Sequence, residues 1–297
     1  MKARLQVMKF GGTSVGDASC IARAAQIIAQ AAKEGGCVAV VSAMSGVTNR
    51  LIEAAKKAEA GDAREAAAVL DALRQQHETA LTSLIQCEEE RARIRQRMEE
   101  VLAEGRRLCE GTALLRELTP RALDAISSLG ERLSAPLVAA AVKERGLPSE
   151  AIEATELIVT DAFHGGAEPQ MELTRAKSQA RLRPLLEKAI APVVTGFIGA
   201  TTEGQLTTLG RGGSDYSATI LGAAMDADEV IIWTDVDGVL TADPRLVPEA
   251  RTIPVISYRE AAELAYFGAK VLHPKTLNPV VQAAIPEIGR ASCRERV

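Results

Sequence analysis

The stretch "VMKFGGTSVGD", residues 7 to 17, runs from an apolar strand pattern through a lysine and a glycine pair into two hydroxyls and a helix start. Taken alone, a lysine at a strand end is a solvated edge. Here Gly11 and Gly12 follow at once, and glycine lets backbone N–H groups approach an anion closely. The helix expected to begin near Asp17 would add the positive end of its dipole. Lys9 would supply a point charge beside both. The loop has neither the G-x-x-x-x-G-K-[ST] order of a P-loop nor the G-x-G-x-x-G order of a dinucleotide fingerprint, so its chemistry rather than a known motif suggests an anion.

Similar apolar runs recur along the chain: "LQVMKF" at 5 to 10, "CVAVVSA" at 37 to 43, "LIVTD" at 157 to 161, "PVVTGFIG" at 192 to 199 and "EVIIWTD" at 229 to 235. Nearly continuous apolar strands suit a sheet covered by helices on both faces. The pattern predicts an α/β protein, an αβα sandwich around a mainly parallel central sheet. Between Val47 and Gly146 the sequence turns to Ala, Leu, Glu and Arg at helical spacing, which predicts a helical insertion. The charges of "CEEERARIRQRMEEVLAEGRRL", residues 87 to 108, read as a solvated helix face. A soft boundary falls near Ala191.

Composition removes several classes of function. A formal charge of -4 leaves no basic footprint for nucleic acid, and Phe 4, Tyr 3 and Trp 1 leave few platforms for stacked bases. Five cysteines, at 20, 37, 87, 109 and 293, form no C-x-x-C pair and support neither a zinc site nor a disulfide framework. No run reaches the ~18 apolar residues of a membrane span, and residues 1 to 20 lack the apolar core of a secretion signal. A reducing cytoplasm is the expected location.

Two further loops follow strand ends, where open α/β sheets put their ligands. In "TLGRGGSDYSAT", residues 208 to 219, three glycines surround Arg211 before Ser214 and Asp215. Ser214 and Asp215 stand where a helix would be capped. A cap does not account for glycines packed around an arginine, whose planar fork suits a carboxylate or a phosphate. The loop "WTDVDGVLTADPR", residues 233 to 245, leaves a buried strand through two aspartates and a glycine, and a plain Asp-Gly turn accounts for it equally well.

"KFGGTSVG", "VSAMSGVTN", "GERLS", "GFIGA", "TLGRGGSDYSA", "WTDVDGV" with "ADPR", and "FGAKVLHP" occur in this order. In order and approximate spacing the chain resembles the aspartate kinases (aspartokinases) of the amino acid kinase superfamily, from about residue 5 to residue 286. The resemblance implies the amino acid kinase fold over residues 1–287, with an N-lobe of about 1–190 holding aspartate and a C-lobe of about 191–287 holding ATP. It implies transfer of phosphate from ATP to the β-carboxylate of L-aspartate, the first step toward lysine, threonine and methionine. Lys9, Arg211 and Asp215 match catalytic positions. Ser42, Thr48, Glu131 and Phe197 match aspartate-side positions, together with Arg211 and Asp215. Lys9, Phe10, Gly11, Gly12, Thr234, Asp235, Leu240, Arg245, Lys270 and Val271 match ATP-side positions, with Leu240 standing where many members have a tyrosine.

The chemistry of such a transfer agrees with these residue types. A β-carboxylate with an ordinary pKa of about 3.9 is ionised at neutral pH and needs no general base. The task is to bring two anions together, which calls for positioning and charge neutralisation. Mg²⁺ with ATP would be held mainly by phosphates and water, with no dedicated protein ligand. Full-length relatives would be homo-oligomers carrying paired ACT regulatory domains, which this chain is expected to lack. Residues 288–297 read as a non-native tail, and the sheet is expected to have an uncovered edge after Pro286.

Overall fold

A computed structural model describes residues 4–234, 238–242, 247, 249–266 and 274–292. Its strands in chain order are β1 (Leu5–Phe10), β2 (Gly36–Val41), β3 (Ser149–Ile152), β4 (Ala191–Thr195), β5 (Ile198–Ala200), β6 (Leu206–Thr208), β7 (Glu229–Thr234) and β8 (Glu287–Ala291). The apolar runs beginning at Leu5, Cys37, Pro192 and Glu229 thus become β1, β2, β4 with β5, and β7. The helices are α1 (Ala18–Glu34), α2 (Val47–Glu59), α3 (Ala63–Leu84), α4 (Glu88–Leu115), α5 (Pro120–Ser127), α6 (Leu129–Lys143), α7 (Met171–Glu187), α8 (Gly213–Met225), α9 (Tyr258–Tyr266) and α10 (Pro274–Ala283).

The central sheet has the order β3-β4-β2-β1-β7-β8 and every pairing in it is parallel. Strand side chains alternate between faces. Met8, Phe10, Ala39, Val41, Val193 and Ile231 meet α1, α6 and the inserted helices on one face. Val7, Val38, Val40, Val194, Val230 and Ile232 meet α7, α8 and α10 on the other. Lys9 is in register with Val40 and Ile232, which sets its side chain on the α8 face at the carboxyl end of β1. The expected αβα sandwich follows from this double covering.

The insertion is α2 through α6. In α4 the charges pair along the surface, as in Arg93 Nη2 to Glu90 at 2.6 Å, while Ile94, Met98, Val101 and Leu102 form the buried stripe. The solvated-face reading of residues 87 to 108 therefore describes one side of a helix whose other side is core.

Two features differ from expectation in the sheet. The run 157–161 is not a strand: Leu157, Ile158, Val159 and Thr160 are buried, but only isolated bridges from Val159 to Ala200 and from Thr160 to Pro169 join them to neighbours. A short apolar run signals burial, and burial does not dictate a ladder. The second difference lies at the C-terminal edge. Glu287 to Ala291 pair in parallel with Val230 to Thr234, and Ile288 packs on the core. The uncovered edge is therefore corrected: residues expected as a tail supply the outer strand. Ladder pairing uses backbone N–H and C=O groups, so the free edge of β7 can accept a run with weak strand preference.

Candidate active site

The chain runs from β1 to β2 on one side of the sheet and returns as β7 and β8 on the other, so connections diverge between β1 and β7. A crevice forms at such a point, outside the carboxyl ends of the strands. Gly11 N donates across this seam to the Trp233 carbonyl at 3.2 Å. The loops after β1, β2 and β4, the turn into α8 and the end of β7 at Thr234 converge around a cleft of about 530 Å³. Lys9, Gly11, Gly12, Ser42, Thr48, Glu131, Phe197, Asp215 and Thr234 all line it.

Lys9 Nζ lies 2.6 Å from Asp215 Oδ1, with side chains 12% and 24% exposed. The contact joins the end of β1 to the first turn of α8. Asp17 caps α1 behind the glycine loop by accepting from Cys20 N at 2.9 Å, and that bond holds its carboxyl below the ordinary value. The N–H groups of Gly12 and Thr13 make no hydrogen bond among the described residues, so the loop presents open donors beside the Lys9 ammonium.

The start of α8 corrects the reading of Ser214 as a cap. Gly212, at φ 71, is the capping residue, and the helix has no side-chain cap bond. Gly213 follows, where a Cβ would come within 2.6 Å of Phe197 Cδ2. Phe197 itself adopts φ 70, a costly conformation for an aromatic residue, and its N–H donates to Ser217 Oγ at 2.9 Å. A strained backbone held by its surroundings at a cleft is a common mark of function.

Glu131, in the first turn of α6, is only 3% exposed. Its Oε1 accepts from Ala43 N at 3.1 Å, whereas Oε2 has no hydrogen-bond partner among the described residues. Burial pushes its carboxyl up to about 8 against an ordinary value of 4.5. Ser134 Oγ, one turn further on, donates to the Ser42 carbonyl at 2.7 Å and ties α6 to the loop after β2. The cleft thus holds a cation near open N–H donors and a buried carboxylate with one unfilled oxygen.

Not every expected residue meets the cleft. Arg211 is exposed, is absent from the cleft wall and makes no hydrogen bond or ion pair among the described residues. Phe10 is fully buried behind the wall and stacks on Trp233 with ring centroids 6.1 Å apart. Leu240 bridges Thr252 away from the lining. Asp235, Arg245, Lys270 and Val271 lie outside the described residues. Conversely, Thr13, Ala43, Met44, Ser45, Gly46 and Asn49 line the cleft without having been singled out, whereas Gly210, Gly212, Gly213 and Ser214 of the arginine loop line it as well. The signal for the middle group was legible in "VSAMSGVTN", where small polar residues follow a buried strand and Gly46 turns at φ 76 into α2.

Residues 4–288 match the amino acid kinase family. The chain belongs to that family. Within it, the chain is 38% identical over 288 residues to the lysine-sensitive aspartokinase 3 of Escherichia coli strain K12, covering 96% of this chain and 61% of that protein. It is 37% identical to the chloroplastic aspartokinase 1 of Arabidopsis thaliana, covering 94% of this chain and 48% of that protein. This family member therefore spans about half to three fifths of the length of these relatives. The crystal structure of E. coli aspartokinase III in complex with aspartate and ADP superposes with a TM-score of 0.88, covering 97% of this chain and 62% of that one. A UMP kinase from Bacillus anthracis, 12% identical at a TM-score of 0.53, shares the fold alone. No described helix of the chain is long and apolar enough to cross a membrane.

Proposed function

We propose that the chain transfers the γ-phosphoryl group of ATP to the β-carboxylate of L-aspartate, giving ADP and 4-phospho-L-aspartate. The observation that carries this reading is the pairing, in one cleft, of a phosphate-ready end and an ammonium-ready end. The first is Lys9 beside the open N–H groups of Gly12 and Thr13; the second is the unfilled Oε2 of Glu131. The similarity to aspartokinases, one of which was crystallised with aspartate and ADP, favours aspartate as the acceptor.

The β-carboxylate arrives ionised and attacks without a base. Lys9 offsets charge on the transferred phosphoryl group, and Asp215 keeps its ammonium aimed into the cleft. Glu131 receives the α-ammonium of aspartate, losing its proton as it does so. Arg211, exposed between Gly210 and Gly212 of the cleft wall, closes its fork on the α-carboxylate. On this reading the nucleotide lies toward Thr234, with Asp235, Arg245, Lys270 and Val271 as its further contacts. Asp215 and the hydroxyls of Thr13 and Ser42 offer the hard oxygen donors that suit Mg²⁺. Bound with ATP, that ion would supply neutralisation of the β and γ phosphates, held mainly by the phosphates and water.

The test is hydroxylamine trapping of the acyl phosphate together with ADP release, run over aspartate, glutamate, acetylglutamate and a nucleoside monophosphate. Aspartate-dependent trapping is expected. Turnover with glutamate and none with aspartate would overturn the assignment.

A further inference from the structure

We infer that Asp124, which lies outside the cleft, is a positioning residue for the amino-acid side of the site, acting through Thr208 and the loop 161–168 on the turn from Gly210 to Asp215. The inference rests on the proposed function for the identity of that side, but not on which acid is the acceptor.

Asp124 sits in α5 and is 2% exposed. Its carboxylate gathers donors from two separate segments. Thr208 donates from Oγ1 at 2.5 Å and from its backbone N at 3.2 Å. His164 Nδ1 donates at 2.8 Å, and Gly165 N lies 3.1 Å from each carboxylate oxygen. Thr208 is the last residue of β6, and the next residue, Leu209, bonds from N to the Phe197 carbonyl at 2.9 Å before the chain enters the turn. Gly165 lies against the outside of the same turn, where a Cβ on Gly210 would stand 3.0 Å from its carbonyl oxygen.

One carboxylate thus fixes both the strand that leads into the turn and the loop that backs it. The far end of the loop is tied to α8 and α10. Lys275 Nζ donates to the Gly166 carbonyl at 3.1 Å and pairs with Glu168 at 2.9 Å, and Tyr216 OH donates to Glu168 at 3.0 Å. Tyr216 is the neighbour of Asp215, so the turn is held from both ends. The position demands a carboxylate, because all its partners are donors; an asparagine would turn its own NH₂ toward one of them. None of these contacts reaches Gly11, Gly12 or Thr13, and the device meets the phosphate side only through the pair of Asp215 with Lys9.

The test compares steady-state kinetics of Asp124→Asn, Thr208→Val and Thr208→Ser with the wild type, using whichever acceptor the wild type phosphorylates. A wrong acceptor would then overturn the proposed function without touching this inference. Asp124→Asn and Thr208→Val should lower kcat/KM for the acceptor about 10- to 100-fold, the scale of a small misplacement of reacting groups. The KM for ATP should stay within about twofold, since ground-state binding of nucleotide is not altered. Thr208→Ser, which keeps the hydroxyl, should restore most of the loss. Should Asp124→Asn fail to fold, the Thr208 pair carries the test alone. Equal effects on both substrates, or a Thr208→Ser variant as impaired as Thr208→Val, would overturn the inference and leave Asp124 a stabilising contact only.

Discussion

The α5 and α6 regions each bury a carboxylate, Asp124 at 2% exposure and Glu131 at 3%, but they treat it differently. Around Asp124, donors from Thr208, His164 and Gly165 meet both oxygens. Around Glu131 a single backbone N–H among the described residues meets one oxygen, and burial pushes the carboxyl up to about 8. Burial alone, therefore, does not make a carboxylate reactive. The unfilled lone pairs do, because a charge left without donors is stabilised by any cation that arrives. Asp215 is an intermediate case, answered by the Lys9 ammonium within the cleft.

The largest effect is expected where that ammonium is removed. Lys9→Met should reduce kcat by about 10² to 10³-fold, the scale of one oriented electrostatic donor, with the melting temperature largely retained. Near-normal turnover would return Lys9 to the role of a solvated strand end. Next in size, the two buried acids should separate cleanly. Glu131→Gln should raise the KM for aspartate about tenfold or more without loss of stability, since it replaces a group already protonated in the free protein. Asp124→Asn should cost about 2 kcal/mol of stability, the worth of charge-assisted hydrogen bonds lost together. Equal stability losses in denaturant titrations of the two variants would break the comparison.

A pH series sharpens it further. Glu131 in the folded protein holds its proton up to about 8, against an ordinary value of 4.5, so between these values the folded state binds more protons than the unfolded. Stability from this group is therefore full below 4.5 and declines as pH rises toward 8. Binding of an ammonium favours the ionised form, so the KM for aspartate should fall by up to about tenfold per unit as pH rises toward the folded pKa, then level off. Glu131→Gln should flatten that slope. The smallest effect concerns Glu287 on β8, whose Oε2 has no hydrogen-bond partner among the described residues and whose carboxyl is pushed up to about 8 by burial and by Asp215, with Lys9 opposing. Glu287→Val should raise the melting temperature at pH 8 by about 2–4 °C, near 1 kcal/mol, and by less at pH 5. A variant less stable at both pH values would mean that the carboxylate contributes to the fold.

The central strands were legible because each is apolar on both faces, as in Val38, Ala39, Val40 and Val41, where either neighbouring layer demands the same residue type. The edge strand β3 was not. Its sequence SEAI buries Ser149 and Ile152 but leaves Glu150 to pair with Arg181, and such a short run resembles a loop. Lys9 and the glycine loop were legible as chemistry, and Glu131 only through the family motif, since a lone Glu in "GERLS" carries no local sign that its oxygen will be stranded. Asp124 carried no signal at all. Its role comes from bringing Thr208 and His164 to one helix, a long-range convergence that no local pattern encodes. The edge filled by β8 was missed for the opposite reason: backbone pairing there is nearly indifferent to side chains.

The seam between β1 and β7 also bears on how the molecule comes into being. β1 pairs on one side with β2, made soon after it, and on the other with β7, which begins at Glu229. Contacts this distant in sequence form slowly. During synthesis at about 5–20 residues per second, the patch β3-β4-β2-β1 can assemble seconds before its partner emerges. For that interval the open edge of β1 presents unpaired backbone groups, an invitation to chaperones or to aggregation. The cleft, which straddles the same seam, is complete only when the late strand has docked.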